Sequence, residues 1–176
     1  KQLWRKDVPG VAWGVNIPRD DKLVVAAYAD GTIRWHRLSD GEELLGFIAQ
    51  SAWVAVNDYE GQMLQERTGL SHAEIARRVR ALIVTRGAEG SVIYADGREI
   101  VIPPARPDAI VDPTGCGDAY RAGLIFGLQN GLDWETTGRV ASLMGSIKIA
   151  HAGTQQHRFT RDEFADRFLA SFGRRL

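Results

Sequence analysis

The sequence has a single cysteine, Cys116, so no internal disulfide can form. It has no surplus of either charge: 22 lysines and arginines face 22 aspartates and glutamates, which excludes the broad basic footprint of a nucleic-acid binder. Long apolar runs are missing too, with none near the roughly 18 residues that a membrane-crossing helix requires. The first ten residues, KQLWRKDVPG, lack the apolar stretch of a secretion signal. Low-complexity segments and internal repeats are absent. These absences predict a cytoplasmic protein with no membrane or nucleic-acid partner. Its 176 residues suffice for one ordinary core and are few for two.

What is present changes style near Gly46. Before it, turn signals recur at Pro18 to Asp21, Asp30-Gly31 and Ser39-Asp40-Gly41, separating runs such as LVVAAY and TIRWHRL, the pattern of a meander of short strands. After it, strand-like AWVAV, ALIVT, SVIYA and EIVIP alternate with helical patterns. These patterns lie from about Glu60, through HAEIARRVR, near Gly115, from Glu135 to Ala150, and from Arg161 to Phe172. The alternation predicts an α/β fold, a layered sheet with flanking helices preceded by a short antiparallel β meander, divided as residues 1–46 and 47–176. The stretch VAWGVNIPRDDKLVVAAYADGTIRWHRLSDGEELL resembles one blade of a WD-repeat propeller. A lone blade cannot close a propeller. The alternative is that Trp13, Val25, Ile33 and Trp35 form one face of a meander packed on the remainder.

Chemistry concentrates in VDPTGCGDAYRAG, residues 111–123. Val111 closes an extended run, Pro113 fixes a turn, Thr114 is placed to cap a helix, and Gly115 and Gly117 permit close backbone approach. A helix N-terminus presents unpaired N–H groups at the positive end of its dipole, a natural seat for phosphate oxygens. The amides of Gly115, Cys116 and Gly117 are candidates for such an anion hole, and Asp118, in the first turn, is placed to accept a proton from an attacking hydroxyl. By spacing alone, a glycine turn with a dipole-favoured aspartate explains the stretch equally well.

This stretch resembles the signature of the ribokinase-like (PfkB) sugar and nucleoside kinases, in the form of the bacterial adenosine kinase branch. Pro113 stands where Thr is common, and Cys116 where Ala is common. Cys116 has no nearby histidine to make it a catalytic thiol. Two upstream segments are similar to family motifs in the same order. Asn57-Asp-Tyr-Glu60 resembles the motif whose Asn and Glu place magnesium and its waters, and it has equally the spacing of a capping box. Thr85-Arg-Gly87-Ala-Glu-Gly90 resembles the nucleotide-binding loop, and alone it reads as a hairpin loop.

The resemblance implies ATP and magnesium as ligands, and potassium as a monovalent cation for which Asp112 and Thr114 match ligand-supplying positions. It also implies an adenine pocket bordered by the small residues Ala141 and Gly145 and by the loop from His151 to Gln155, with Gly153 as helix C-cap. The likeness runs from about Phe47 to Gln156, the ATP-binding half of such a kinase. The sugar-gripping Gly-Gly pair has no counterpart, because the chain contains no Gly-Gly dipeptide. Two functions follow. One is phosphoryl transfer from ATP to a nucleoside or sugar hydroxyl, weak in this chain alone. The other is a catalytically empty nucleotide-binding or interaction module made of a fused kinase half and blade. A homodimer through the N-terminal β segment would be one way to complete a lid.

Overall fold

The computed structural model describes residues 12–16, 23–28, 33–37 and 41–176, with side chains from Leu44 onward except that of Phe47. Pro18 to Asp21, Asp30-Gly31 and Ser39-Asp40, read as turns, lie outside the described residues, as do the side chains of Trp13, Val25, Ile33 and Trp35. Strands β1 (Ala12–Asn16), β2 (Leu23–Tyr28) and β3 (Ile33–Arg37) form an antiparallel sheet in that order, with Val25 opposite Trp35. Helix α1 (Gly41–Gln50) runs straight through Gly46, where the composition changes style.

Beyond α1 the order is β4 (Trp53–Asn57), α2 (Asp58–Thr68), α3 (His72–Ala76), β5 (Ala81–Thr85), β6 (Ser91–Ala95), β7 (Arg98–Ile102), α4 (Cys116–Gln129), α5 (Trp134–Ile149) and α6 (Arg161–Phe172). The four strands make one sheet in the order β4-β5-β6-β7, with β4 and β5 parallel. β6 and β7 join through Asp96-Gly97, both at positive φ, the geometry of a tight hairpin turn. The sheet is therefore mixed, and the α/β fold class expected from the alternation is the one observed. α3 stops at Ala76, short of the helix expected through Arg80, because Arg80 N–H already donates to Ala52 O at 2.8 Å on the way into β5.

The chain divides into two compact units, residues 1–85 with 94–99, and residues 86–93 with 100–176. In the first, Leu44, Ile48, Val54, Leu64, Ile75 and Leu82 belong to one buried cluster. β5 reads ALIVT and is buried at four successive residues, as a strand covered on both faces must be. In the second, Val140, Leu143 and Ile147 of α5 pack with Phe164 and Phe168 of α6.

The extended run expected before Val111 contains no strand between residues 103 and 113. Pro103, Pro104, Pro107 and Pro113 remove four backbone donors from it. Its remaining groups turn to α5: Ala105 N–H donates to Ser142 Oγ at 2.8 Å, and Val111 and Asp112 N–H both donate to Ile149 O, at 2.9 and 3.1 Å. These three amides are thus paired without a ladder.

Helices α4 and α5 approach closely at Gly123. A Cβ there would stand 2.5 Å from the Cα of Ala141 and 2.9 Å from its nitrogen, and neither atom can yield without moving the helix. Gly123→Ala is expected to lower stability by about 1–3 kcal/mol, the scale of an overpacked core. Gly46 lies mid-helix with nothing within 4 Å of its Cβ position. Gly46→Ala is therefore expected to raise stability by about 0.5–1 kcal/mol. Denaturant midpoints of the two variants check the opposite signs, and equal midpoints would refute the packing argument.

Candidate functional site

In the first unit the β4–β5 register sets Asn57 beside Thr85, at the carboxyl ends of two parallel strands, where open α/β sheets bind ligands. Asn57 caps α2: its Oδ1 accepts from Glu60 N–H at 2.8 Å, and Glu60 Oε2 accepts from Asn57 N–H at 2.9 Å. The capping box that the spacing allowed is therefore present. It uses one polar atom of each side chain, leaving Asn57 Nδ2 and Glu60 Oε1 for other partners. Thr85 Oγ1 donates to Val56 O at 3.4 Å. Among the described residues no group of three or more His, Cys, Asp or Glu side chains is arranged to hold a metal. Magnesium tolerates such a setting, since it keeps several waters and takes phosphate oxygens with one or two carboxylates.

The two glycines of the 85–90 segment differ. Gly87 is exposed, with open space where a Cβ would stand. Gly90, at φ +84°, faces the carbonyl oxygen of Ile102 so closely that any side chain would collide with it, and its own carbonyl accepts from Arg86 N–H at 2.8 Å. Gly90 is required by the fold, and Gly87 is the one with room for a ligand.

In the second unit the signature loop is folded around Asp112. Its Oδ1 accepts from Thr114 N–H at 2.9 Å, and its Oδ2 from Gly153 N–H at 2.8 Å. This changes two cap assignments. Thr114 gives its amide to Asp112, so the N-cap of α4 is Gly115, at φ +83° and with no side-chain bond. The C-cap of α5 is Ala150, and Gly153 lies three residues beyond it, a donor to Asp112. A Cβ on Gly115 would stand 3.2 Å from Thr154 Cβ, so the two loops touch there as well.

Cys116 N–H is committed to Pro113 O at 3.1 Å. The first-turn donors that α4 itself leaves unpaired are then those of Gly117 and Asp118, rather than that of Cys116. Burial, the largest influence, pushes the Cys116 thiol above its ordinary value, which keeps it neutral and poorly nucleophilic. The Asp118 carboxylate is 81% exposed and meets Arg121 Nη1 at 3.1 Å. Ala141 is wholly buried against Gly123, which sets it in the α4–α5 contact rather than on a ring-binding surface. Gly145 has only Cys116 O within reach of its Cβ position, at 3.8 Å. His151 Nδ1 lies 2.9 Å from Ile147 O, a helix-end arrangement.

The residue that sequence reasoning missed is Lys148. It is completely buried, and its Nζ donates to Asp112 O at 2.7 Å and His151 O at 3.1 Å, with Asp112 Oδ2 at 3.9 Å. Asp112, expected with Thr114 to supply ligands to potassium, already has its polar atoms engaged. The Asp112 carbonyl faces the ammonium, its carboxylate oxygens are taken by two amides, and Thr114 contributes an N–H. The available signal was a lysine between two isoleucines in the last turn of α5, where a lysine ordinarily serves the helix dipole.

The amide bonds, first Thr114 and then Gly153, with help from Lys148, lower the Asp112 pKa from 3.8 to about 2. A carboxylate whose pKa falls on folding stabilises the fold above its unfolded pKa, and that contribution is lost as pH drops through the folded value. Stability is thus expected to decline between about pH 4 and pH 2, with Asp112→Asn flattening the decline. Denaturant midpoints across that window check it, and an unchanged slope in the variant would count against the clamp.

The model of the pfkB family of carbohydrate kinases matches residues 27–160. The nucleoside kinase of Methanocaldococcus jannaschii is 33% identical over 126 residues, covering 72% of this chain and 42% of that protein. The nucleoside kinase of Burkholderia thailandensis in complex with inosine superposes with a TM-score of 0.77 at 48% identity, over 79% of this chain and 46% of that one. Likeness to the adenosine kinase of Sinorhizobium meliloti is lower, at 25% identity and a TM-score of 0.61. The chain spans less than half the length of the relatives it matches. The family match reaches back to residue 27, across β3 and α1, into the stretch that resembled a propeller blade. With its signature loop clamped at the head of α4, and three quarters of its length matched, this chain belongs to the pfkB family of carbohydrate kinases.

Proposed function

We propose that this chain binds ATP or ADP at the head of α4 and forms the nucleotide-holding part of a kinase whose acceptor is a nucleoside hydroxyl. The observation that carries the proposal is the clamped loop: an N-terminus with first-turn amides of Gly117 and Asp118 unused by the helix, and an exposed carboxylate beside them. The B. thailandensis nucleoside kinase, with a structure described as an ADP-inosine complex, supports a nucleotide and a nucleoside as ligands.

In the proposed reaction, Gly115, Gly117 and Asp118 N–H groups stabilise charge on the phosphates, as the dipole of α4 also does. Asp118 takes the proton of the acceptor hydroxyl as its oxygen bonds to the γ-phosphorus, and the bond to the β-phosphate oxygen breaks to release ADP. Its partner Arg121 does not block this role, because an exposed ion pair is worth only about 0–1 kcal/mol. Magnesium would offset phosphate charge. Within the first unit, Glu60 Oε1 and Asn57 Nδ2 are the atoms the cap leaves for a hydrated ion. Gly87 offers the nucleotide an open edge, and Thr85 closes the preceding strand.

Titration calorimetry with magnesium and ADP is expected to show binding, weakened in Gly117→Val. Flat heats from folded protein would refute the site. Where transfer is measurable, Asp118→Asn is expected to slow it by about 100-fold or more while sparing ADP affinity. Equal rates would move the base elsewhere.

The chain by itself is expected to be a poor kinase. Holding an acceptor in line with the phosphorus contributes up to about 7–11 kcal/mol to rate acceleration, and the sequence has no Gly-Gly pair, the element by which the resemblance implies a sugar is gripped. Radiolabelled ATP with inosine, adenosine, ribose and hexoses, at several protein concentrations to expose a dimer, is the assay. Robust turnover on any acceptor would overturn this expectation.

A further inference from the structure

We propose that Lys148 is a tethered cation that takes the place of a monovalent metal ion behind the anion-binding loop, so that this chain sets the loop without potassium. The family resemblance directs a cation to Asp112. In this chain a side-chain ammonium already stands there, fully buried, donating to the carbonyl oxygens of Asp112 and His151 and facing the Asp112 carboxylate. Those carbonyls are the groups a bare monovalent ion would have to share. The two oxygens come from different loops, one entering α4 and one leaving α5, so the ammonium ties together the same pair of loops that Asp112 ties through Thr114 and Gly153.

Charge balance supports the assignment. The buried ammonium and the Asp112 carboxylate offset each other, and Cys116, whose sulfur lies 3.9 Å from Asp112 O, stays a neutral thiol. A covalently attached cation is present at high effective concentration whatever the salt, and a free ion competing for the same oxygens gains nothing. Lys148 touches no reacting atom, so its role is positioning: it holds residues 112 and 151 and thereby the height of Gly115 and the first turn of α4.

The readout rests on the nucleotide-binding reading, and the test separates the two. ADP affinity of the 176-residue chain is measured with magnesium in potassium, sodium and N-methylglucamine chlorides at one ionic strength. The expected affinities agree within about twofold. Lys148→Ala, which opens a cavity of ion size, is expected to lose about tenfold in glucamine and to regain most of it in potassium or ammonium. Lys148→Met, which fills the space without charge, is expected to lose as much with no recovery, and it serves if the alanine variant does not fold. A wild-type affinity that rises about fivefold or more in potassium overturns the proposal. So does a folded Lys148→Ala protein whose loss no cation reverses, or a Lys148→Met protein of wild-type affinity. If wild type gives no ADP heat in any salt, the nucleotide reading fails, and thermal unfolding decides the cation. A wild-type midpoint indifferent to potassium beside a Lys148→Ala midpoint raised by it upholds the proposal, and a wild-type midpoint raised by potassium defeats it.

Discussion

Both oxygens of the Asp112 carboxylate are committed to backbone N–H groups, one two residues ahead and one forty-one residues away. The head of α4 depends on this arrangement. Residues 103–113 have no ladder to hold them, four prolines limit their donors, and Gly115 enters the helix in a left-handed conformation with no side-chain cap. A loop of that kind is costly to order, because each fixed residue loses about 1–2 kcal/mol of backbone entropy. Charge-assisted bonds to amides are stronger than neutral ones, and here they fix the loop at both ends of its turn.

A fixed loop is useful only on a fixed base. α5 supplies it by approaching α4 at Gly123 and by accepting both Val111 and Asp112 at the carbonyl of Ile149. Phe164 and Phe168 of α6 pack against Val140, Leu143 and Ile147 of α5, so α5 is held by a second helix as well. Preorganised donors act on developing charge without a reorganisation penalty, and a packed helix holds its first-turn amides in that way where a free loop would not. The first unit solves the same problem differently: Asn57 and Glu60 cap α2 reciprocally, and each is held in place by the cap while keeping a second polar atom.

Much of this was legible in the sequence. Periodicity located the strands and α-helices from residue 53 onward except the end of α3, and it did not show the 3-10 turn at Gly87–Glu89, because apolar spacing decides element type and Arg80's bond to Ala52 is a tertiary event. The signature stretch directed attention to Asp118, Gly115 and Gly117 through chemistry alone. The caps differ from what residue type predicts for one reason. Thr114 and Gly153 are the residue types that cap helices, and Asp112 draws the amides of both to itself from outside either helix. Ala141 shows the same limit: small residues admit a ligand ring or another helix equally well, and Gly123 on α4 decided for the helix.

Lys148 marks the sharpest limit. A lysine near a helix C-terminus is favoured on the surface, and nothing local distinguishes it from one that is wholly buried. Burying an ammonium is expensive unless its donors are met, and an apolar residue of similar volume often serves stability as well or better. Stability therefore does not explain its presence. Its partners are two carbonyls, one in the loop entering α4 and one in the loop leaving α5, and the carboxylate that clamps those loops stands beside it. Because that carboxylate offsets its charge, the ammonium acts on the helix N-terminus through position: it fixes the backbone of residues 112 and 151 from a place that salt screens little.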